Sequence, residues 1–200
     1  MKAVEFACDL VSSPAVKPHL ESLAGFDIGT FRHSARIFWT SVLAGGEMDL
    51  TLRQWTELAC GALFHDLGKT GIPRGIIVNN GSLDPKQTEQ VRLHPEYGFG
   101  MLANFPFNGA RGPVIAHHRY KENPYPEEGR SHMSELAAVV AALDQFDALA
   151  YSRPYRDGLS MSKVEEILRA QFIGDPNVID LAMRIGKQNL PAELARRLRI

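Results

Sequence analysis

The 200-residue sequence predicts an all-α fold, and three observations carry that expectation. Apolar residues recur at helical spacing in segment after segment. Capping residues open those segments, and glycines or prolines close them. No strict alternation of apolar and polar residues lasts the length of a strand, and no internal repeat or low-complexity tract breaks the pattern.

Taken in order, residues 1–24 give a short apolar start and then Ser13-Pro14, a cap followed by proline at a first helical position. Asp27 caps a helix with Phe31, Ala35, Phe38 and Val42 on one face, expected to stop at Gly45-Gly46. Asp49 or Thr51 opens the next, with Leu52, Trp55, Leu58, Ala59, Ala62 and Leu63 inward and His65-Asp66 at its end. Thr70 to Ser82 reads as loop. Asp84-Pro85 starts a helix that reaches His94, where Pro95 removes an amide donor and bends or ends it. A short helix follows within Tyr97 to Phe105, and another runs from about Asn108 to His118. After a proline-rich loop, Ser131 or Ser134 caps the longest apolar helix, residues 133–151. Ser160 and Asp175-Pro176 open two more, and Pro191 to Ile200 is a last amphipathic turn or two.

Composition is ordinary for a globular chain, 44% hydrophobic and 22% charged, and the length suits one domain over residues 1–200 with enough chain for a sizeable core. A net charge of -1 gives no pull toward a DNA or RNA duplex or an anionic membrane. No apolar run approaches the roughly 20 residues needed to cross a bilayer. Cys8 and Cys60 lack a closely spaced partner and no secretory signal is read at the amino terminus, so a reducing cytoplasm is expected.

The chemistry centres on Leu63-Phe64-His65-Asp66-Leu67-Gly68-Lys69. Helical spacing turns both His65 and Asp66 inward, and a buried carboxylate is costly unless it is paired, hydrogen-bonded or bound to metal. His33, His94, His117, His118 and Asp144 also sit at helix ends or on inward faces. This nitrogen and oxygen donor set, free of sulfur, suits iron, manganese, nickel or magnesium better than a structural zinc. It is too large for a single four-coordinate ion, which suggests two divalent ions sharing a carboxylate, with Asp66 as the bridge. Such a pair activates a bridging water and clamps the oxygens of a phosphoryl displacement. Lys69 is placed to neutralise a phosphate oxygen. Asp147, one turn beyond Asp144, is expected to orient a histidine. His19 and His132 are expected at the surface, Phe105, Phe107 and Met101-Leu102 in the core, and Arg196, Arg197 and Arg199 on a solvated helix face.

In order, His33 with Arg36, His65-Asp66 with Gly68-Lys69, His94, His117-His118 and Asp144 resemble the pattern of the HD superfamily of metal-dependent phosphohydrolases. Gly71-Ile72-Pro73, the histidine doublet, and Asp144 to Leu149 followed by Arg153-Pro154-Tyr155-Arg156 extend the resemblance to its HD-GYP branch, over about residues 27–158. The resemblance implies an HD-domain helical bundle holding iron or manganese and hydrolysing cyclic di-GMP to pGpG or GMP. It also implies that Arg153 and Arg156 contact the guanine and phosphate of the substrate. Gly29 stands where three-metal members carry a glutamate, with Asp27 two residues off register, so two ions are expected. The loop that names the branch reads Lys121-Glu122-Asn123-Pro124-Tyr125-Pro126, about one residue short. It keeps Tyr125 as a substrate contact but loses the glycines. His118 is read as a ligand or as facing the substrate. Another nucleotide or phosphoester as substrate, or a catalytically weak nucleotide sensor or adaptor, are the alternatives. No receiver or sensory domain is read, so control is expected from a partner or from substrate supply, and the partners expected are a second copy of the chain or a signalling protein.

Overall fold

The computed structural model describes residues 2–79, 81–121, 124–126, 134–152 and 157–200. The chain begins with α1 (Ala3–Ser12) and α2 (Lys17–Phe26). Ser13-Pro14 therefore lies in the turn between two helices and opens neither. Phe6, Ala7, Leu10 and Val11 already form a buried face ahead of it, and Pro18 takes the first turn of α2.

The long helix α3 (Ile28–Glu47) is capped by Asp27, whose Oδ2 accepts from the Thr30 amide at 2.7 Å. It runs through Gly45-Gly46 rather than stopping there. The indole of Trp55 occupies the space a side chain at Gly45 would need, and its Nε1 donates to the Val42 carbonyl at 2.9 Å. Gly45 is thus needed for close packing, while Gly46 is exposed and has room for a side chain. Next, α4 (Leu52–Phe64) starts in a reciprocal capping box between Thr51 and Gln54.

A 3-10 helix (Leu67–Gly71) and a single turn, α5 (Arg74–Ile77), then occupy much of the stretch expected as loop. Lys69 accepts from the Ile72 amide at 3.0 Å, and Pro73 leads into the turn that follows. Asp84 caps α6 (Pro85–Arg92), and α7 (His94–Met101) restarts with Pro95 in its first turn, where the missing amide costs nothing. The segment from Asn108 is split into a 3-10 turn (Asn108–Ala110) and α8 (Arg111–Ala116).

Ser134 caps α9 (Glu135–Ala150); Ser131 lies outside the described residues. At 16 residues α9 is shorter than the 20-residue α3. The chain ends in α10 (Met161–Gln171), α11 (Pro176–Ile185) and α12 (Ala192–Leu198). Ser160 precedes α10 without making a side-chain cap. Among the described residues there is no strand, and no helix is long and apolar enough to cross a membrane.

The central pair is α3 and α4, each buried on two sides. Phe31, Phe38, Leu63 and Phe64 join α1, α2 and α12 in one apolar cluster. Ile37, Ala44, Leu58 and Ala62 join α8, α9, α10 and α11 in a second. Three burial expectations need correction. Leu52, expected inward, is exposed at the first position of α4. His19 is half-buried, packing edge-on against Phe64 and Phe105 with centroids 5.5 and 5.6 Å away. Met101 is exposed at the end of α7, while Leu102 beside it is fully buried. Phe105 lies in the core and Phe107 packs partly buried against it; Arg196, Arg197 and Arg199 are exposed, with Arg199 just past the end of α12. His132 lies outside the described residues.

Candidate metal centre

The site is assembled where helices end. His65 directly follows α4 as its C-cap, and Asp66 comes next, just before the 3-10 helix. Leu58, Ala59, Ala62 and Leu63, all fully buried, drive α4 inward and carry the pair with them. The 3-10 helix that follows lies backbone to backbone against α7. A Cβ on Gly68 would collide with the His94 carbonyl and approach the Gly98 amide at 2.5 Å. Only glycine allows this approach, and the approach is what brings Asp66 to His94. His33 comes from the second turn of α3, His117 caps α8 with His118 after it, and Asp144 and Asp147 lie one turn apart on α9.

These groups converge. Ligand atoms of His33, His65 and Asp66 lie within 4.8 Å of one another, and so do those of His94, His117 and His118. Asp66 belongs to both groups in space: its Oδ2 is 3.5 Å from His65 Nε2, and its Oδ1 is 3.3 Å from His94 Nε2. Asp144 Oδ1 is 3.2 Å from His33 Nε2.

Hydrogen bonding fixes which nitrogen of each ring points inward. His65 Nδ1 donates to the Ala62 carbonyl at 2.8 Å, His94 Nδ1 to Val91 at 2.7 Å, and His117 Nδ1 to Val114 at 3.0 Å. A carbonyl can only accept, so each Nδ1 carries the proton and each neutral ring turns a bare Nε2 lone pair into the site. His94 Nε2 and His117 Nε2 face each other at 3.1 Å. Two lone pairs and a carboxylate oxygen at such range call for a cation between them, and the donor set is that of a divalent metal site.

The charge states agree. Burial, with smaller effects from Lys69 and His65, drives the His94 pKa down to about 4 against the pull of Asp66. Burial and neighbouring imidazoles hold His117 and His118 well below the usual histidine range, and Lys121 adds to this at His118. His65 is lowered by burial, with Asp66 and Asp144 opposing. His33 differs. Burial disfavours its charged form, but hydrogen bonds to Asp144 and Asp147 outweigh that and raise its pKa. Burial also opposes ionisation of Asp66 and Asp144. Lys69 and the histidines overcome it at Asp66, His33 and Lys121 at Asp144, so both stay well below the usual carboxylate range.

Around the cluster, Asp147 makes the orienting contact, accepting from His33 Nδ1 at 2.6 Å. Arg36 holds Asp147 from the far side through Nε at 2.5 Å and Nη2 at 2.9 Å, and its guanidinium lies over the Tyr151 ring at 4.7 Å. Lys69 Nζ pairs with Asp66 Oδ2 at 2.5 Å. Tyr125 stacks on His118 at 4.4 Å between centroids, and the Arg92 guanidinium lies over the same ring at 5.4 Å. Arg153 and Arg156 lie outside the described residues. The cluster opens on a cleft of about 590 Å³ that includes His33, Asp66, Lys69, His118, Lys121 and Asp144, with Ile76, Ile77, Val78 and Leu83 as an apolar wall.

Sequence reading did not single out Lys121 or Arg92. Lys121 sits in the loop that departs from the family pattern, and Arg92 is the exposed end of α6; no spacing rule points Lys121 at the cleft or Arg92 at Tyr125.

The fold and the donor set define a helical bundle with a site fit for divalent metal. Residues 29–178 match the HD domain family, and the chain belongs to it. Its phosphohydrolases are metal-dependent, and the HD-GYP-like character implied by the ordered motif agrees with the relatives found. The chain is 28% identical over 169 residues to the cyclic di-GMP phosphodiesterase of Thermotoga maritima, covering 81% of this chain and 46% of that one. It is 28% identical over 165 residues to the cyclic di-GMP phosphodiesterase response regulator RpfG of Xanthomonas campestris, covering 79% and 44%. It is 28% identical over 142 residues to the 3'3'-cGAMP-specific phosphodiesterase 3 of Vibrio cholerae, covering 70% and 31%. The chain thus spans less than half the length of these relatives. In fold it matches the HD domain of the L. monocytogenes phosphodiesterase PgpH in complex with cyclic-di-AMP, at a TM-score of 0.59 and 16% identity over 91% of this chain and 92% of that one.

Proposed function

We propose that this chain is a metal-dependent phosphodiesterase that opens a cyclic dinucleotide, with cyclic di-GMP the first candidate. The observation that carries the reading is the inward convergence of three bare imidazole lone pairs and the Asp66 carboxylate. His33, His65, Asp66 and Asp144 would hold one ion; His94, His117, His118 and the second oxygen of Asp66 would hold the other. Iron or manganese suits these nitrogen and oxygen donors, with nickel and magnesium behind them. Bound there, such ions supply Lewis-acid neutralisation of phosphoryl oxygens and activation of water.

The chain's own residues have separate tasks. Asp147 and Arg36 keep the His33 ring in one orientation. Lys69 offers its ammonium to a phosphate once cations share the charge of Asp66. The apolar wall Ile76, Ile77 and Val78 gives a base a surface and narrows the access of water. Tyr125 stacks on His118, and Arg153 and Arg156 are assigned to base and phosphate by the motif. Residues 1–200 act as one HD unit, and the free, buried thiols of Cys8 and Cys60 suit a reducing cytoplasm.

The test is purified protein loaded with Mn(II) or Fe(II) and assayed against cyclic di-GMP, 3'3'-cGAMP, cyclic di-AMP and bis(p-nitrophenyl) phosphate. Turnover of a cyclic dinucleotide is expected, with about two ions per chain. Tight nucleotide binding without turnover under every metal would replace the enzyme with a sensor.

A further inference from the structure

Two buried carboxylates of the cluster, Asp66 and Asp144, each have a lysine beside them. Lys69 Nζ is 2.5 Å from Asp66 Oδ2, and Lys121 Nζ is 3.9 Å from Asp144 Oδ2. Both lysines are partly exposed, their side chains 23% and 33% accessible, and both line the same cleft. They arrive from different parts of the chain, Lys69 from the 3-10 helix after α4 and Lys121 from the segment after the histidine doublet. We propose that Lys121 is a specificity-determining residue that binds the second phosphate of a two-phosphate ligand, while Lys69 serves the phosphate at the metal centre.

The argument is one of charge and reach. Asp66 and Asp144 are balanced by the two lysines in the metal-free protein. When divalent ions take up the carboxylate charge, both ammonium groups are released to anions entering the cleft. A ligand with one phosphodiester satisfies one of them and leaves the other beside a metal centre of the same sign. A ligand with two separated phosphates satisfies both. At 3.9 Å, Lys121 is beyond hydrogen-bonding range of Asp144 and remains free to turn, and a lysine carries three donors on a flexible stem. The cleft, about 590 Å³ and lined by apolar side chains as well as by both lysines, has room for more than a single phosphate group.

This inference rests on the phosphodiesterase reading, and the experiment separates the two. The metal-loaded full chain, Lys121→Ala and Lys121→Arg are compared on the cyclic dinucleotide that the wild type turns over and on bis(p-nitrophenyl) phosphate, with metal content measured for each. For Lys121→Ala the rise in KM on the cyclic dinucleotide exceeds that on the single diester by about tenfold, the scale of one charge-assisted contact to phosphate. Metal content stays at the wild-type level, and Lys121→Arg recovers most of the difference. Equal losses on both substrates, no loss, or a fall in bound metal would overturn the assignment. A wild type that hydrolyses neither substrate under any metal defeats the phosphodiesterase reading itself, a result visible before any variant is made.

Discussion

The two histidine groups of the metal centre are built from the same residue type and balanced in opposite ways. Around His33 the imidazole is embraced by carboxylates, with Asp147 at 2.6 Å on one nitrogen and Asp144 at 3.2 Å on the other. A proton on His33 supplies positive charge there, and His65 Nε2 accepts from His33 Nε2 at 3.3 Å. Around His94 the carboxylate at hand is Asp66, whose Oδ1 lies 3.3 Å from Nε2 while its Oδ2 is already paired with Lys69. Burial keeps His94, His117 and His118 neutral, and lone pairs face one another across 3.1 Å. One half is balanced by a proton, while the other turns neutral rings and their lone pairs toward one another. Within one cluster, then, the same side chain serves as ion-pair partner or as waiting ligand according to whether α9 offers it a carboxylate.

Among the described residues Asp66 is the carboxylate that touches both halves, so its removal is the strongest test of the comparison. Asp66→Ala is expected to lower kcat/KM by at least about a thousandfold and to strip both ions, because each half loses its shared anionic ligand. Metal analysis of the purified variant decides it: loss of a single ion would mean that the halves are independent sites.

Much of this centre was legible in the sequence because its parts announce themselves locally. A histidine and an aspartate at the end of an apolar helix, or a doublet before a proline-rich loop, can be seen without a fold. The tautomers could not be read, because they depend on carbonyls such as Val91 and Val114 one turn back, placed by helix ends whose position spacing alone leaves uncertain. Gly45 and Gly46 misled for the opposite reason: the sequence shows a helix stop, while the deciding contact is Trp55, which reaches α3 from another helix. His19 also looks like surface until Phe64 and Phe105 are brought beside it. Gly68 carries the least obvious information, since its role becomes visible only when α7 lies against it.

The next prediction compares the halves in the absence of metal. His33→Ala leaves Asp144 and Asp147 buried without the cation between them, although Arg36 still holds Asp147. Removing one partner of a buried pair is expected to cost about 3 kcal/mol of folding stability. His117→Ala removes one of two facing lone pairs, so relief of that repulsion offsets part of its packing loss. Urea unfolding with chelator at about pH 6, where the raised pKa keeps His33 charged, should place His33→Ala well below His117→Ala. As pH rises through the folded His33 value, its contribution fades and the two variants draw together. Equal midpoints at both pH values would remove the asymmetry between the halves.

The smallest effect isolates the outer carboxylate. Burial disfavours the Asp147 anion, but Arg36 and His33 overcome this and bring its pKa from the ordinary 3.8 down to about 2. A carboxyl depressed in the folded state adds stability that is fully present above its unfolded value and is lost as pH falls through its folded one. For Asp147 that window lies between about pH 4 and pH 2, and the contribution is about 2 kcal/mol. Asp66 and Asp144 titrate low as well, so the total acid slope belongs to all three. Subtracting the curve of Asp147→Asn from that of the wild type, both metal-free, leaves the share of Asp147. An amide can still accept from His33 Nδ1 but carries no charge for Arg36, so the ring keeps its orientation while the pH-dependent part disappears. Parallel curves for the two proteins across this window would mean that Arg36 gains nothing from the charge of Asp147, and the carboxylate-rich half would lose its distinguishing feature.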